Sequence, residues 1–279
     1  MRIHKIITML AILAGAMTLP ACSVNPVTGK KELSLISNQQ EIQMGQEAAP
    51  QFEQEFGGKV DNSSLQQYVN TVGQRVASRS DRTDMPYEFA VLNSDVPNAF
   101  ALPGGKIFIT AGLMSAMQNE RELAAVLGHE IGHVAYKHSV KGLQRQLGAQ
   151  VFIDVVGAVV GADKKEAAQA AAKVSGAMLN LRYSRTDEYQ ADSIGIVYMQ
   201  RAGYNPWGMV QMLTVLNNLG QSESSFKEMF QTHPMTTKRV DEARNTVQQK
   251  YPGVSAGSEE TASGDFLRAK ASLPVQKSK

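Results

Sequence analysis

His129-Glu130-Ile131-Gly132-His133 sets two imidazoles four residues apart, with a carboxylate beside the first. On a helix, residues four apart share one face. Both rings can then grip one metal ion, with Glu130 next to it as a base. Glu122-Leu123-Ala124-Ala125-Val126-Leu127 leads into the motif and Val134-Ala135 follows it. These flanks favour helix and bury it, keeping water away from the ligands. Of the five histidines, four lie beyond His4: His129, His133, His138 and His233. Two of those four make the motif, which raises the weight of a pentapeptide that also occurs by chance.

A catalytic zinc takes three protein ligands and keeps one position open. Ser184 to Asp192 supplies Glu188 and Asp192, four apart on a predicted helix. Glu188 is the expected third ligand. Asp192 is the expected acceptor for the far N–H of a ligand imidazole, which fixes its tautomer. A third histidine close behind the motif is not expected, because Tyr136 and Ser139 stand where that pattern needs Gly and His. His138, five past His133, points off the ligand face on helical geometry and reads as a packing or supporting residue. The expectation is one Zn2+ per chain on His129, His133 and Glu188. Glu130 moves the protons. The developing oxyanion needs a further donor. His233 leads, with Arg239 or Tyr183 behind it; Arg239 fits an ion pair with an acid on a neighbouring helix equally well. Pro234 disfavours helix at His233, so a loop carries that ring. Over the open side of the ion it is either an oxyanion donor or a plug.

In order along the chain come Asn25-Pro26-Val27-Thr28-Gly29, Asn98-Ala99-Phe100, Pro103-Gly104-Gly105, the HExxH run, Glu188 to Asp192, Tyr204-Asn205-Pro206, His233-Pro234 and Arg239. This series resembles metallopeptidase family forty-eight, the HtpX and CAAX prenyl protease family, and within it the periplasmic lipoprotein branch of LoiP and BepA type. The resemblance implies zinc on His129, His133 and Glu188, and a self-inhibiting histidine at 233 as in some members. It implies unfolded or damaged envelope proteins as substrates. The chain departs from HtpX in having no transmembrane helices, and from the BepA type in having no long helical repeat region after the protease domain. A built-in docking module for large assemblies is therefore not expected. Two other classes stay open: a periplasmic chaperone or assembly factor with a latent zinc site, and a cell-wall peptidoglycan amidase. Glu130 argues against a purely structural zinc.

These residues must be held by a mainly helical α+β domain of zincin-like, gluzincin type, with a small sheet beside the active-site helix. Helices are expected over 41–56 and 63–80, strands over Tyr87–Leu92 and Lys106–Thr110, with a turn-bearing connection from Asn98 to Gly105. The chain is mainly helical from Asn119. Val151–Val160 is apolar but short and contains Asp154, so it reads as a buried helix. Substrate is expected to lie along Lys106, Ile107, Phe108, Ile109 and Thr110 by strand addition.

The expected domain plan is a lipoprotein signal peptide over 1–21, a tether over 22–40, the protease over 41–252 and a mobile tail over 253–279. Arg2, His4 and Lys5 precede an uncharged run from Ile6 to Leu19, a signal-peptide layout. Leu19-Pro20-Ala21-Cys22 resembles a bacterial lipobox, so Cys22 is expected to carry lipid. An uncut anchor and ordinary secretion are the alternatives. Ser23, in place of Asp, points to the outer membrane. As Arg2 and Lys5 are two of the 28 basic residues, the remaining 26 balance the 26 acidic ones. Nothing marks a nucleic-acid binder. The oligomeric state is not legible.

Overall fold

The computed structural model describes residues 21–222, 224–257 and 263–274. The expected signal peptide lies outside these residues but for Ala21. The architecture is mainly helical, with one small sheet in its middle, as the α+β reading expects. Strands β3 (Glu88–Leu92), β4 (Ala99–Ala101) and β5 (Lys106–Thr110) form it in the order β3-β5-β4. β3 runs parallel to β5, with Phe89 opposite Ile107 and Val91 opposite Ile109. β4 runs antiparallel to β5, with Phe100 opposite Phe108.

Alternate residues of this sheet enter two separate cores. Phe89, Val91, Ile107 and Ile109 face one. Ala90, Leu92, Phe100 and Phe108 face the other. The first core is closed by α2 (Ser63–Ala77), α4 (Glu120–Ala135), α8 (Arg185–Arg201) and α9 (Trp207–Ser222); α3 (Ala111–Ala116) follows β5 at its rim. The second is closed by α1 (Asn38–Glu55), α5 (His138–Leu147), α6 (Ala149–Gly161) and α7 (Lys164–Leu179). The sheet is a filling between two helical layers, which is why its strands read as nearly continuous apolar runs.

The outer edge of β3 is sealed by side chains. Gln66 exchanges two hydrogen bonds with the Val91 backbone, both 2.9 Å. Asn70 accepts from Phe89 N at 3.4 Å, and Gln74 donates to Tyr87 O at 2.5 Å. These amides recur every four residues on α2, a rise of about 6 Å, which matches two residues of strand.

Three segments differ from the sequence expectation. The expected tether contains an antiparallel hairpin of β1 (Ala21–Val24) and β2 (Lys31–Ser34). Asn25 organises its turn, accepting from Val27 N and Thr28 N through its side chain. The expected loose tail contains α12 (Gly264–Ala271), capped by Ser263, with Phe266 fully buried in the first core. The expected connection from Asn98 to Gly105 contains β4. The apolar segment of α6 buries Phe152, Val155, Val156 and Val159. No helix among the described residues is long and apolar enough to cross a membrane.

Candidate metal centre

Asn119 begins α4, its side chain accepting from Glu122 N, and Glu120 and Glu122 sit in the positive first turn. Every residue of α4 after Glu120 is buried. His129, Glu130 and His133 therefore stand in the centre of the molecule. Ser184 starts α8 with a reciprocal capping box to Asp187, so the turn carrying Glu188 is well fixed.

The two helices cross closely because of their glycines. A β-carbon on Gly132 would lie 2.9 Å from Ala191 O and from Ile194 Cγ2. On Gly195 it would lie 3.0 Å from Gly128 O. Backbone against backbone at this crossing sets Glu188 and Asp192 beside the two histidines.

His129 Nε2 and His133 Nε2 lie 3.0 Å apart. Glu188 reaches them at 3.6 and 3.4 Å. His233 Nδ1 stands 3.1 Å from Glu188 Oε1 and 3.4 Å from His129 Nε2. All four residues are buried, and one ligand atom from each lies within 4.8 Å of the others. Glu130 sits at the rim, one oxygen 3.9 Å from His233 Nε2 and the other buried with no hydrogen-bond partner.

The donor set fits a metal ion. Asp192 accepts from Arg239 Nε and Nη2, each at 2.8 Å, and the guanidinium holds its pKa down despite burial. As an ionised carboxylate Asp192 only accepts, so His129 Nδ1, at 2.8 Å, is the donor. The lone pair of His129 Nε2 thus faces inward, toward His133 Nε2 and the Glu188 carboxylate. Burial opposes charge on Glu188, but Arg239, His233 and His133 outweigh it and its pKa falls well below the usual value. Arg239 Nη1 approaches Glu188 Oε2 at 2.5 Å without hydrogen-bond alignment. Lone pairs and negative charge converging in a buried space repel one another unless a cation lies between them.

Burial raises the Glu130 pKa, with His233 and His129 opposing. Burial depresses that of His133 well below the ordinary histidine value. For His233 burial also acts downward, but Glu188 and Glu130 prevail and the net direction is up.

The structure brings together His129, Glu130, His133, Glu188, Asp192, Arg239 and His233. It excludes one expectation. Lys106 to Thr110 cannot take an added strand, because β5 is the middle strand with both edges paired. The unpaired edge is that of β4. Thr110 N donates to Asn98 O, and Leu102 N to Lys106 O. By the antiparallel alternation, Phe100 then bonds Phe108, and the polar backbone groups of Ala99 and Ala101 point away from β5. Ala101 O accepts from Ser139 Oγ at 2.6 Å.

Tyr183, named behind His233 as an oxyanion donor, lies against the His133 ring, centroids 3.9 Å apart, and its hydroxyl meets Ser139 Oγ at 3.0 Å. One feature escaped the sequence reading. A narrow apolar cavity of about 30 Å³ opens beside Glu130. Its floor is Ala125 and Val126, its wall Met209, Met212, Leu213 and Leu216 of α9, and its roof Met229, Phe230 and Met235. That roof belongs to the strap joining α9 to α11 (Thr237–Lys250), which includes α10 (Lys227–Thr232) and His233.

The chain is similar to several known proteins. It is 32% identical over 268 residues to the "Beta-barrel assembly-enhancing protease" of Yersinia pestis, covering 93% of this chain and 54% of the relative. It is 28% identical to the "Mitochondrial metalloendopeptidase OMA1" of Schizosaccharomyces pombe, covering 77% of this chain and 63% of the relative. It is 26% identical to "Metalloprotease YcaL" of Escherichia coli, covering 88% of this chain and 89% of the relative. The chain spans about half the length of the assembly-enhancing proteases it matches. The family model of peptidase family M48 matches residues 63–247, from the helix that seals the sheet to the helix that carries Arg239. The chain belongs to peptidase family M48.

Proposed function

We propose that the chain is a zinc metalloendopeptidase of the bacterial cell envelope, acting on unfolded or damaged proteins. The observation that carries the reading is the convergence of His129, His133 and Glu188 in one buried space with Glu130 at its rim. Two imidazoles and a carboxylate suit zinc, which takes nitrogen and oxygen ligands in a four-coordinate site. The ion, when bound, acidifies a water and polarises the scissile carbonyl.

Everything else falls to the chain's own side chains. Glu130 takes the proton of the attacking water as the new C–O bond forms, and hands it to the amine as the C–N bond breaks. Its burial strengthens it as a base. Asp192, held by Arg239, keeps the His129 lone pair turned inward. The substrate backbone pairs with Ala99 O and Ala101 N, the outward groups of β4 that Asn98 and Ser139 do not hold. The apolar cavity, widened when its roof withdraws, takes one apolar side chain next to the cut bond.

His233 among the ligands supports a latent resting state. It stands where the fourth position of the ion would be, and the strap that carries it roofs the apolar cavity. Withdrawal of the strap frees both. The lipobox residues Leu19 to Cys22 support a lipid anchor on Cys22, facing the periplasm and in the outer membrane. Relatives named for β-barrel assembly support a place in envelope quality control.

The test is digestion of unfolded casein by the purified zinc-loaded protein. The wild type cleaves it, and Glu130→Gln keeps the metal but does not cleave. Normal turnover by the Gln variant sinks the mechanism, and digestion of purified peptidoglycan in place of casein sinks the substrate class.

A further inference from the structure

His138 has no part in the reaction as described, yet it lies against the centre. Its Nδ1 is 3.0 Å from His133 Nδ1. Its Nε2 is 3.0 Å from Gln190 Oε1 and 3.6 Å from Asp187 Oδ1. The ring is buried and stacked on Tyr136, centroids 5.2 Å apart at 7°. We propose that His138 is a positioning residue that fixes the tautomer and orientation of the metal ligand His133, as the end of a relay from Gln190 and Asp187. The proposal rests on the metallopeptidase reading of the site.

The proton count admits one arrangement. Gln190 Oε1 accepts at 3.0 Å and the Asp187 carboxylate, at 3.6 Å, adds negative charge beside it, so His138 Nε2 carries a hydrogen. A neutral His138 then presents a lone pair at Nδ1. His133 Nδ1 must donate to it, which leaves the His133 Nε2 lone pair facing His129 and Glu188. Asp192 does the same service for His129. The two ligand imidazoles are thus oriented by different chemistry, one by a carboxylate and one by a second imidazole.

The backbone supports the assignment. Had α4 continued unbroken, a residue five past His133 would stand about 140° around the helix from it, off the ligand face. Lys137 breaks the helix with φ of 58°, among the described residues the one non-glycine in the left-handed region. That conformation is costly for a lysine. Lys137 Nζ is held by Asn38 Oδ1 at 2.9 Å and by Glu41 at 3.5 Å. The break redirects the chain into α5 and returns the His138 ring to His133. A strained residue held in place directly before a ring that meets a metal ligand points to function rather than to packing.

The test is zinc affinity, measured by competition with a chromophoric chelator, with the unfolding of the metal-free forms followed alongside. His138→Leu keeps the bulk but removes the acceptor, and is expected to weaken zinc binding about 10- to 100-fold. His138→Asn carries an amide oxygen near the Nδ1 position and is expected to restore most of the loss. Gln190→Leu, which touches no ligand, is expected to weaken binding by less than His138→Leu. Wild-type affinity in His138→Leu overturns the proposal, as does an Asn variant no better than Leu. If His138→Leu does not fold, the Asn and Gln190 variants decide: unchanged affinity in Gln190→Leu overturns the relay. A wild type that binds no zinc overturns the metal reading itself, a result distinct from all of these.

Discussion

Replacing Gly132 by alanine tests how the third ligand is brought to the first two. The new β-carbon would meet Ala191 O and Ile194 Cγ2 at 2.9 Å and Ala191 Cα at 3.0 Å. Normal contact needs about half an ångström more, so α4 and α8 must part or shift. Overpacking of this kind costs about 1–3 kcal/mol. Alanine's better helix propensity offsets about 1 kcal/mol of that. The net loss of stability is therefore small, about 0–2 kcal/mol. The metal is the more sensitive reporter. Glu188 sits one turn before Ala191 on α8, and ligand distances tolerate deviations of only about 0.2 Å. Gly132→Ala is expected to fold and to bind zinc at least about tenfold more weakly. Gly128→Ala is the matched comparison. Its β-carbon would meet Gly195 O at 3.3 Å and Met199 Cγ at 3.4 Å, a far milder contact, and near wild-type affinity is expected. Denaturant unfolding and chelator competition on the two variants read both quantities. Equal zinc affinity in Gly132→Ala and wild type would refute the claim that this close crossing places Glu188.

His233→Ala is expected to raise basal casein cleavage, about tenfold or more if the closed strap dominates the resting population; a fall would assign His233 to the oxyanion instead, and no change would remove it from the site. Acid should destabilise the metal-free protein through His138, whose pKa burial pushes down from 6.5 to about 4, against Asp187 and Glu188 and with Lys141. Between those values the unfolded chain binds a proton that the folded one does not, so this contribution is fully present above about pH 6.5 and is lost toward pH 4. It amounts to roughly 3 kcal/mol, and denaturant unfolding against pH should show a shallower slope in His138→Asn. Mass spectrometry of the membrane-extracted protein should find lipid on an N-terminal Cys22; an unmodified Cys22 would contradict the anchor.

The ligand helix was legible because its spacing is its geometry: His129 and His133 share a face on any helix, as do Glu188 and Asp192. The position of β5 was harder. Lys106-Ile107-Phe108-Ile109-Thr110 reads simply as a strand, and its middle place comes from a non-sequential strand order. Its nearly unbroken apolar run carried a usable hint, since a strand buried on both faces is seldom an edge. β4, three residues long, lies inside turn chemistry and has no period to detect. His138 reads as a packing or supporting residue turned off the ligand face, and its contact with His133 was hidden because the left-handed break at Lys137 interrupts the helical phase on which that placement stood. The last helix, by contrast, did carry start and stop signals: Ser263 before it, Asp265 in its first turn, Arg268 and Lys270 in its last. The Ser-, Gly- and Glu-rich stretch before it obscured them.

Diffraction from crystals of the purified protein, recorded on either side of the zinc absorption edge, tests the central claim most directly. The account predicts one anomalous peak per chain, about 2.0–2.2 Å from His129 Nε2, His133 Nε2 and a Glu188 oxygen. No peak there in zinc-replete crystals, or a peak whose ligands leave out Glu188, would contradict it.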